Sequence, residues 1–253
     1  MTDTGGTGMK LFCGLPAVLP IILSGFSPFS MMAEGLKLPQ TRVIFHAGNK
    51  NTTAGIQNLN NRPYLVKAEI LNVPGRNEPD VIPFSVTPPL FRLEPDSQYT
   101  VRILPRGKIH LPDDRESVFY LSFLAIPPGN KPGEYDDTAV SARISVGVQT
   151  LIKLFYRPAG LSMTAREAQS RLVFYTGRDN VVMDNPTPYY LTLNTLTLKG
   201  KNIDLVKTGA MIAPFSQKTY PVSGKTETAA YTVINDYGSV SQLYSGAITA
   251  GRE

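Results

Sequence analysis

Between Ile144 and Leu154 every second residue is apolar or β-branched. Ile144, Val146, Val148, Thr150, Ile152 and Leu154 share one parity. A period of two places them on one face of a β-strand, a pattern that a helix of 3.6 residues per turn does not produce. The whole run, Ala142 to Pro158, is long beside an ordinary strand of about five or six residues. It closes on Lys153 and Arg157, two cations set just before Pro158 stops the strand. Two readings fit. One is a core strand of a β-sandwich; the other is an edge strand that keeps part of its apolar row for another protein. Exposed edges invite aggregation, so a chain that retains one has a use for it.

The rest of the chain agrees with an all-β protein. Its 253 residues allow one or two domains with ample material for a core. Pro and Gly number 21 each, with 12 Tyr and 11 Phe, a mixture that suits short strands joined by turns. Lys and Arg total 25 against 20 Asp and Glu, a mild excess of +5 without a dense basic run. That argues for a solvated basic surface and against nucleic acid as a partner.

Lys10, the apolar stretch Leu11 to Phe26 and the small residues up to Ala33 read as a secretory signal peptide, residues 1–33, in which 1–8 is an upstream extension if Met9 is the start. The stretch is interrupted by Pro16 and Pro20 and falls short of the roughly twenty residues that span a bilayer. The only cysteine, Cys13, lies inside it. The exported chain therefore has no disulfide and no thiolate metal site, and is held by packing alone.

Seven strands are expected in a first domain, residues 34–157: Thr41–His46, Thr53–Asn58, Tyr64–Leu71, Val81–Val86, Tyr99–Leu104, Val118–Ile126 and Ala142–Tyr156. Pro, Gly and Asn clusters separate them, which suggests an immunoglobulin-like sandwich. The pattern restarts after Pro158 in a second domain, residues 158–253. There, Thr164-Ala165-Arg166-Glu167 has capping-box form and predicts a single short helix near Ala165–Arg171. Strand-like runs follow at Leu172–Tyr175, Tyr189–Leu198, Ala210–Ala213, Lys218–Val222, Ala230–Asn235 and Gln242–Ile248.

Several segments together resemble one family. They are Thr41–Phe45, Thr87-Pro88-Pro89-Leu90-Phe91-Arg92-Leu93-Glu94-Pro95, Leu111–Tyr120, Ile126-Pro127-Pro128, Ile152–Pro158, Asn185-Pro186-Thr187-Pro188-Tyr189-Tyr190 and Ile234-Asn235-Asp236-Tyr237-Gly238. In this order the sequence is similar to the periplasmic chaperones of the chaperone–usher pilus pathway, the PapD-like family. The resemblance implies two immunoglobulin-like β-sandwich domains set at an angle with a cleft between them. It implies a non-enzymatic task without cofactors, in which pilus subunits are held by donor-strand complementation and delivered to an outer-membrane usher. It further implies that Ile144, Val146 and Val148 are donor-strand residues, and that Arg42 and Lys153 grip the subunit's C-terminal carboxylate. Glu116, Arg157 and Asp236 match a network joining the domains. Exposed ion pairs contribute only about 0–1 kcal/mol, which assigns such a network to orientation rather than stability. Self-association is an alternative shield for the edge of the free form.

Nothing in the sequence marks a catalyst. His46 and His110 are the only histidines, each in or beside a predicted turn, and no zincin, nucleophile-elbow or phosphate-loop motif occurs. Asp113, Asp114 and Glu116 are poor metal ligands with Arg115 among them. The rival reading is an exported structural pilus subunit or adhesin, which needs an alternating apolar extension at its mature N-terminus. Glu34 to Gln40 has no such row.

Overall fold

The computed structural model describes residues 1–2, 35–72, 82–108, 110–128, 146–222, 224 and 226–250. Residues 3–33 of the expected signal peptide, Ile144 and the beginning of the Ala142–Tyr156 run lie outside these residues. The first half is built from β1 (Leu36–Lys37), β2 (Arg42–His46), β3 (Thr52–Asn58), β4 (Tyr64–Leu71), β5 (Phe84–Thr87), β6 (Leu90–Leu93), β7 (Gln98–Pro105), β8 (Ser117–Ile126) and β9 (Val148–Arg157). They form two sheets, in the orders β1-β3-β7-β5 and β2-β9-β8-β4-β6. Alternation decides the faces: β4 buries Val66, Ala68 and Ile70 and turns Leu65, Lys67 and Glu69 outward. The inward rows of both sheets meet around Phe45, Phe84 and Phe123.

The second half contains α1 (Ala165–Ala168), β10 (Val173–Thr176), β11 (Asn180–Asn185), β12 (Leu191–Leu198), β13 (Lys201–Asn202), α2 (Leu205–Thr208), β14 (Met211–Ile212), β15 (Ser216–Pro221), β16 (Thr228–Val233) and β17 (Tyr244–Ala250). Their ladder runs β13-β12-β16-β17-β10-β11-β15, with β14 on β12. A separate core gathers Phe174, Met183, Tyr220 and Tyr231. The expected helix at Ala165 is present, its capping box closed between Thr164 and Glu167. The expectation of a single helix is overturned by α2. There the Asp204 carboxylate accepts from the Val206 and Lys207 amides, and Gly209 at φ +83° ends the turn.

Asn185 ties the Asn185–Tyr189 turn together. Buried, it donates to the carbonyls of Tyr189 and Ala213 (both 2.8 Å) and accepts from the Thr187 amide and hydroxyl. Such an amide is satisfied on both sides, so its burial carries no desolvation penalty.

Candidate functional site

β2 and β9 run parallel, with Arg42 opposite Lys153 and His46 opposite Arg157. Val43 and Phe45 of β2 and Ile152 and Leu154 of β9 enter the core, so the alternate residues Arg42 and Lys153 emerge together on the other face. That face meets the second sandwich. The Arg42 Nη1 donates to the Ile234 carbonyl (2.9 Å), and the Lys153 Nζ donates to the Thr192 hydroxyl (3.0 Å). The Arg42 Nε is buried without a hydrogen-bond partner. Burial, then the neighbouring Arg42 charge, pushes the Lys153 ammonium down to about 8. Burial also lowers Arg42, against the attraction of Asp236 and Glu116. Two half-buried cations side by side, one with an idle donor, form a site that favours an anion.

Arg157, at the end of β9, lies between two carboxylates. Its Nε meets Glu116 Oε1 at 2.8 Å, while Nη1 and Nη2 take Asp236 as a fork at 2.7 and 2.9 Å. The other Glu116 oxygen accepts from the Tyr190 amide (2.9 Å), and the Glu116 amide donates to the Pro188 carbonyl (2.9 Å). The Arg157 guanidinium also sits 5.0 Å from the Tyr189 ring centroid. The premise of exposed pairs does not hold here, since Glu116 is 3% exposed. Burial raises its carboxyl although Arg157 pulls the other way. Burial likewise opposes the charge on Arg157, but the bonds to Asp236 and Glu116 outweigh it.

Asp236 comes from the turn Ile234–Val240, which Asn235 organises by accepting from the Tyr237 and Ser239 amides. Gly238 in that turn has φ +83°, and a Cβ there would stand 2.6 Å from the Thr41 hydroxyl. Glycine is required both by the conformation and by the close approach of the two sandwiches. The same turn thus holds Asp236 against Arg157 and the Ile234 carbonyl against Arg42.

Beside the cations, β9 is covered unequally. Toward β8 it is paired from Val148 to Tyr156, but β2 reaches only Lys153 to Arg157. On the β2 side, Val148 to Ile152 have no ladder partner among the described residues. The apolar row changes state inside that segment. Leu154 and Ile152 are 0% and 6% exposed, whereas Val148 and Val146 are 52% and 69% exposed. A row of core-type side chains runs out of its own core along a half-free edge.

Sequence reading missed the polar partners contributed by the second sandwich: Thr192, the Ile234 carbonyl and the Tyr190 amide. Thr192 had a signal, being a hydroxyl buried inside the apolar run Tyr189–Leu193. The two backbone groups had none. Among the described residues no group of three acidic, His or Cys side chains is placed to hold a metal.

Two immunoglobulin-like sandwiches, a cationic cleft and a half-free strand define a two-domain β protein of the pilus-chaperone type. Residues 35–162 match the N-terminal domain of PapD-type pili and flagellar-assembly chaperones, and residues 167–245 match the PapD C-terminal domain. The chain belongs to the PapD pili assembly chaperone family. It is 39% identical over 227 residues to the chaperone protein HifB of Haemophilus influenzae, covering 87% of this chain and 90% of that one. With the chaperone protein FimC of Escherichia coli K12 it shares 33% over 216 residues, 85% of each chain. Among solved structures, one of Salmonella enterica SafA pilin in complex with the SafB chaperone matches with TM-score 0.72 and 31% identity. That match covers 85% of this chain and 97% of the other. The Escherichia coli chaperone DraB matches equally, at TM-score 0.72, 31% identity and the same coverage.

Proposed function

We propose that the protein is a periplasmic chaperone that captures pilus subunits by lending them a strand and passes them to an outer-membrane usher. The observation that carries this reading is the β9 edge left unpaired from Val148 to Ile152 among the described residues, where exposed Val148, with Val146 just before it, leads directly to Arg42 and Lys153. A sandwich lacking one strand exposes core side chains and unpaired backbone groups, both unfavourable in water. The β9 edge supplies main-chain hydrogen bonds, and Ile144, Val146 and Val148 fill the vacant pockets. Arg42 and Lys153 bind the subunit's terminal carboxylate. That fixes the register, and a slip of one residue would turn every side chain to the wrong face. Residues 1–33 act as the cleaved export signal, and the mature domains are 34–157 and 158–253. Membership of a chaperone family supports this reading over a structural subunit or adhesin. Periplasmic co-expression with a pilus subunit that lacks its N-terminal extension should give a soluble one-to-one complex on size exclusion. A fibre of this chain alone would support the adhesin instead.

Capture should depend on pH. The free Lys153 titrates near 8 and is held protonated once a carboxylate is bound, so binding takes up a proton above that pH. Affinity for a carboxylate-terminated subunit is expected to fall by up to about tenfold per pH unit above 8, by linkage. Lys153→Arg should flatten the profile. A wild-type profile already flat from pH 7 to 9.5 would remove Lys153 from the anchor.

Glu116, Arg157 and Asp236 set the orientation of the domains. Arg157→Ala leaves Glu116 buried without its cation, a change that costs about 3–5 kcal/mol in buried pairs. We expect a lower melting temperature and a broader solution-scattering distance distribution. The stability loss should shrink on acidification, as Glu116 protonates through its raised pKa. An unchanged scattering distribution would mean that the network is not what orients the domains.

A further inference from the structure

Phe215 has a backbone that an aromatic residue seldom adopts. Its φ is +50°, in the left-handed region, where a Cβ crowds the chain and glycine is the usual occupant. The side chain is not held there by its own core, being 46% exposed. Its ring meets a cation of the other sandwich: the Arg115 guanidinium lies 4.9 Å from the ring centroid. Arg115 is in turn held by a two-point bond to Asp114, Nε to Oδ1 at 2.9 Å and Nη2 to Oδ2 at 2.7 Å. A guanidinium over an aromatic ring within about 6 Å of its centroid is the geometry of a cation–π contact.

The surroundings make the contact a built one. The Phe215 amide donates to the Thr187 carbonyl (3.2 Å), and Asn185 holds the Ala213 carbonyl (2.8 Å). The turn carrying Phe215 is therefore fastened to the Asn185–Tyr189 turn. That turn receives the Glu116 amide at the Pro188 carbonyl. Consecutive residues 115 and 116 thus bind the second sandwich in two ways, Glu116 inward through the Tyr190 amide and the Pro188 carbonyl, Arg115 outward over Phe215.

We propose that Arg115 and Phe215 form a second, solvent-exposed clamp that sets the angle between the two sandwiches, separate from the buried Glu116–Arg157–Asp236 network. A strained backbone is kept where the structure around it uses the strain. Here it aims the ring at the guanidinium. Arg115 and Phe215 are positioning residues. They touch neither Arg42 nor Lys153, and their effect on the cleft comes only through domain orientation.

The free, full-length exported protein is sufficient for the test, which makes it independent of what the cleft binds. In a weakly aligning medium, residual dipolar couplings from the wild type should fit one alignment tensor for both domains. Phe215→Gly removes the ring and relieves the left-handed backbone. We expect a melting temperature equal to or above wild type together with two diverging tensors. Arg115→Ala should diverge similarly, the double variant no further than either single one, and Phe215→Trp should restore a single tensor. A single shared tensor in both Phe215→Gly and Arg115→Ala overturns the clamp. So does divergence accompanied by loss of dispersed signals from the second domain, which would mark Phe215 as a folding residue.

Discussion

Lys153→Met is expected to lower affinity for a subunit ending in a free carboxylate by roughly tenfold to a hundredfold, since charge-assisted hydrogen bonds contribute about 1.5–3 kcal/mol. Arg42→Ala should act similarly, and the double variant should lose capture. The melting temperature should move little, or upward for Lys153→Met. Lys153 is half-buried beside Arg42, and its pKa in the folded protein, about 8, lies below the ordinary lysine value of 10.5. Between those values the unfolded chain binds more protons, so stability rises with pH across the window. At neutral pH the buried ammonium is a burden on the free fold that Met removes. A site strained by its own charges is stabilised when an anion arrives. The idle Nε of Arg42 adds a donor that costs free energy while unmade. Blocking the subunit's carboxylate by amidation should weaken binding to wild type as much as either substitution does. Wild-type affinity in both single variants would leave the strand alone to set the register.

The parts of this architecture that local pattern encodes were legible. Alternation in Tyr64–Leu71 and Val118–Ile126 placed β4 and β8 to within a residue, because each has one face in a core. β11 escaped, although Val181, Met183 and Asn185 alternate inward, because Asn, Asp and Gly around them read as turn. α2 escaped because four residues give no helical period; only Asp204 and Gly209 announced it. The site was legible only through family resemblance. Arg157 meets Glu116 across 41 residues and Asp236 across 79, and no local signal joins them. Burial of Glu116 was not legible either, because the second sandwich supplies it, down to the Tyr190 amide. The long Ala142–Pro158 run left two readings open, a core strand or an edge strand that keeps part of its apolar row for another protein. Its described residues start at Val146 and form β9 from Val148, and its two states divide between Val148 and Ile152, just before β2 joins at Lys153.

That division permits a test within one row of side chains. Val146→Asp should leave a cooperative melt within roughly 2–4 °C of wild type, as expected of an exposed substitution within about 0.5 kcal/mol. Val146 is 69% exposed, so an aspartate there remains in water in the free protein. In the proposed complex the same side chain would enter an apolar groove, where an unpaired carboxylate is strongly disfavoured. Subunit capture should therefore be lost. Six residues on, with the same parity, Ile152 is 6% exposed and faces Leu121, which is fully buried. Ile152→Asp places the charge in the chaperone's own core and should prevent accumulation of folded protein, while Ile152→Ala should cost about 2–5 kcal/mol. On this expectation one alternating row separates a binding residue from a folding residue by position alone. If Val146→Asp captures subunits normally with a wild-type melt, the exposed half of the row is not the donor. If it fails to fold, the row belongs wholly to the chaperone's own core.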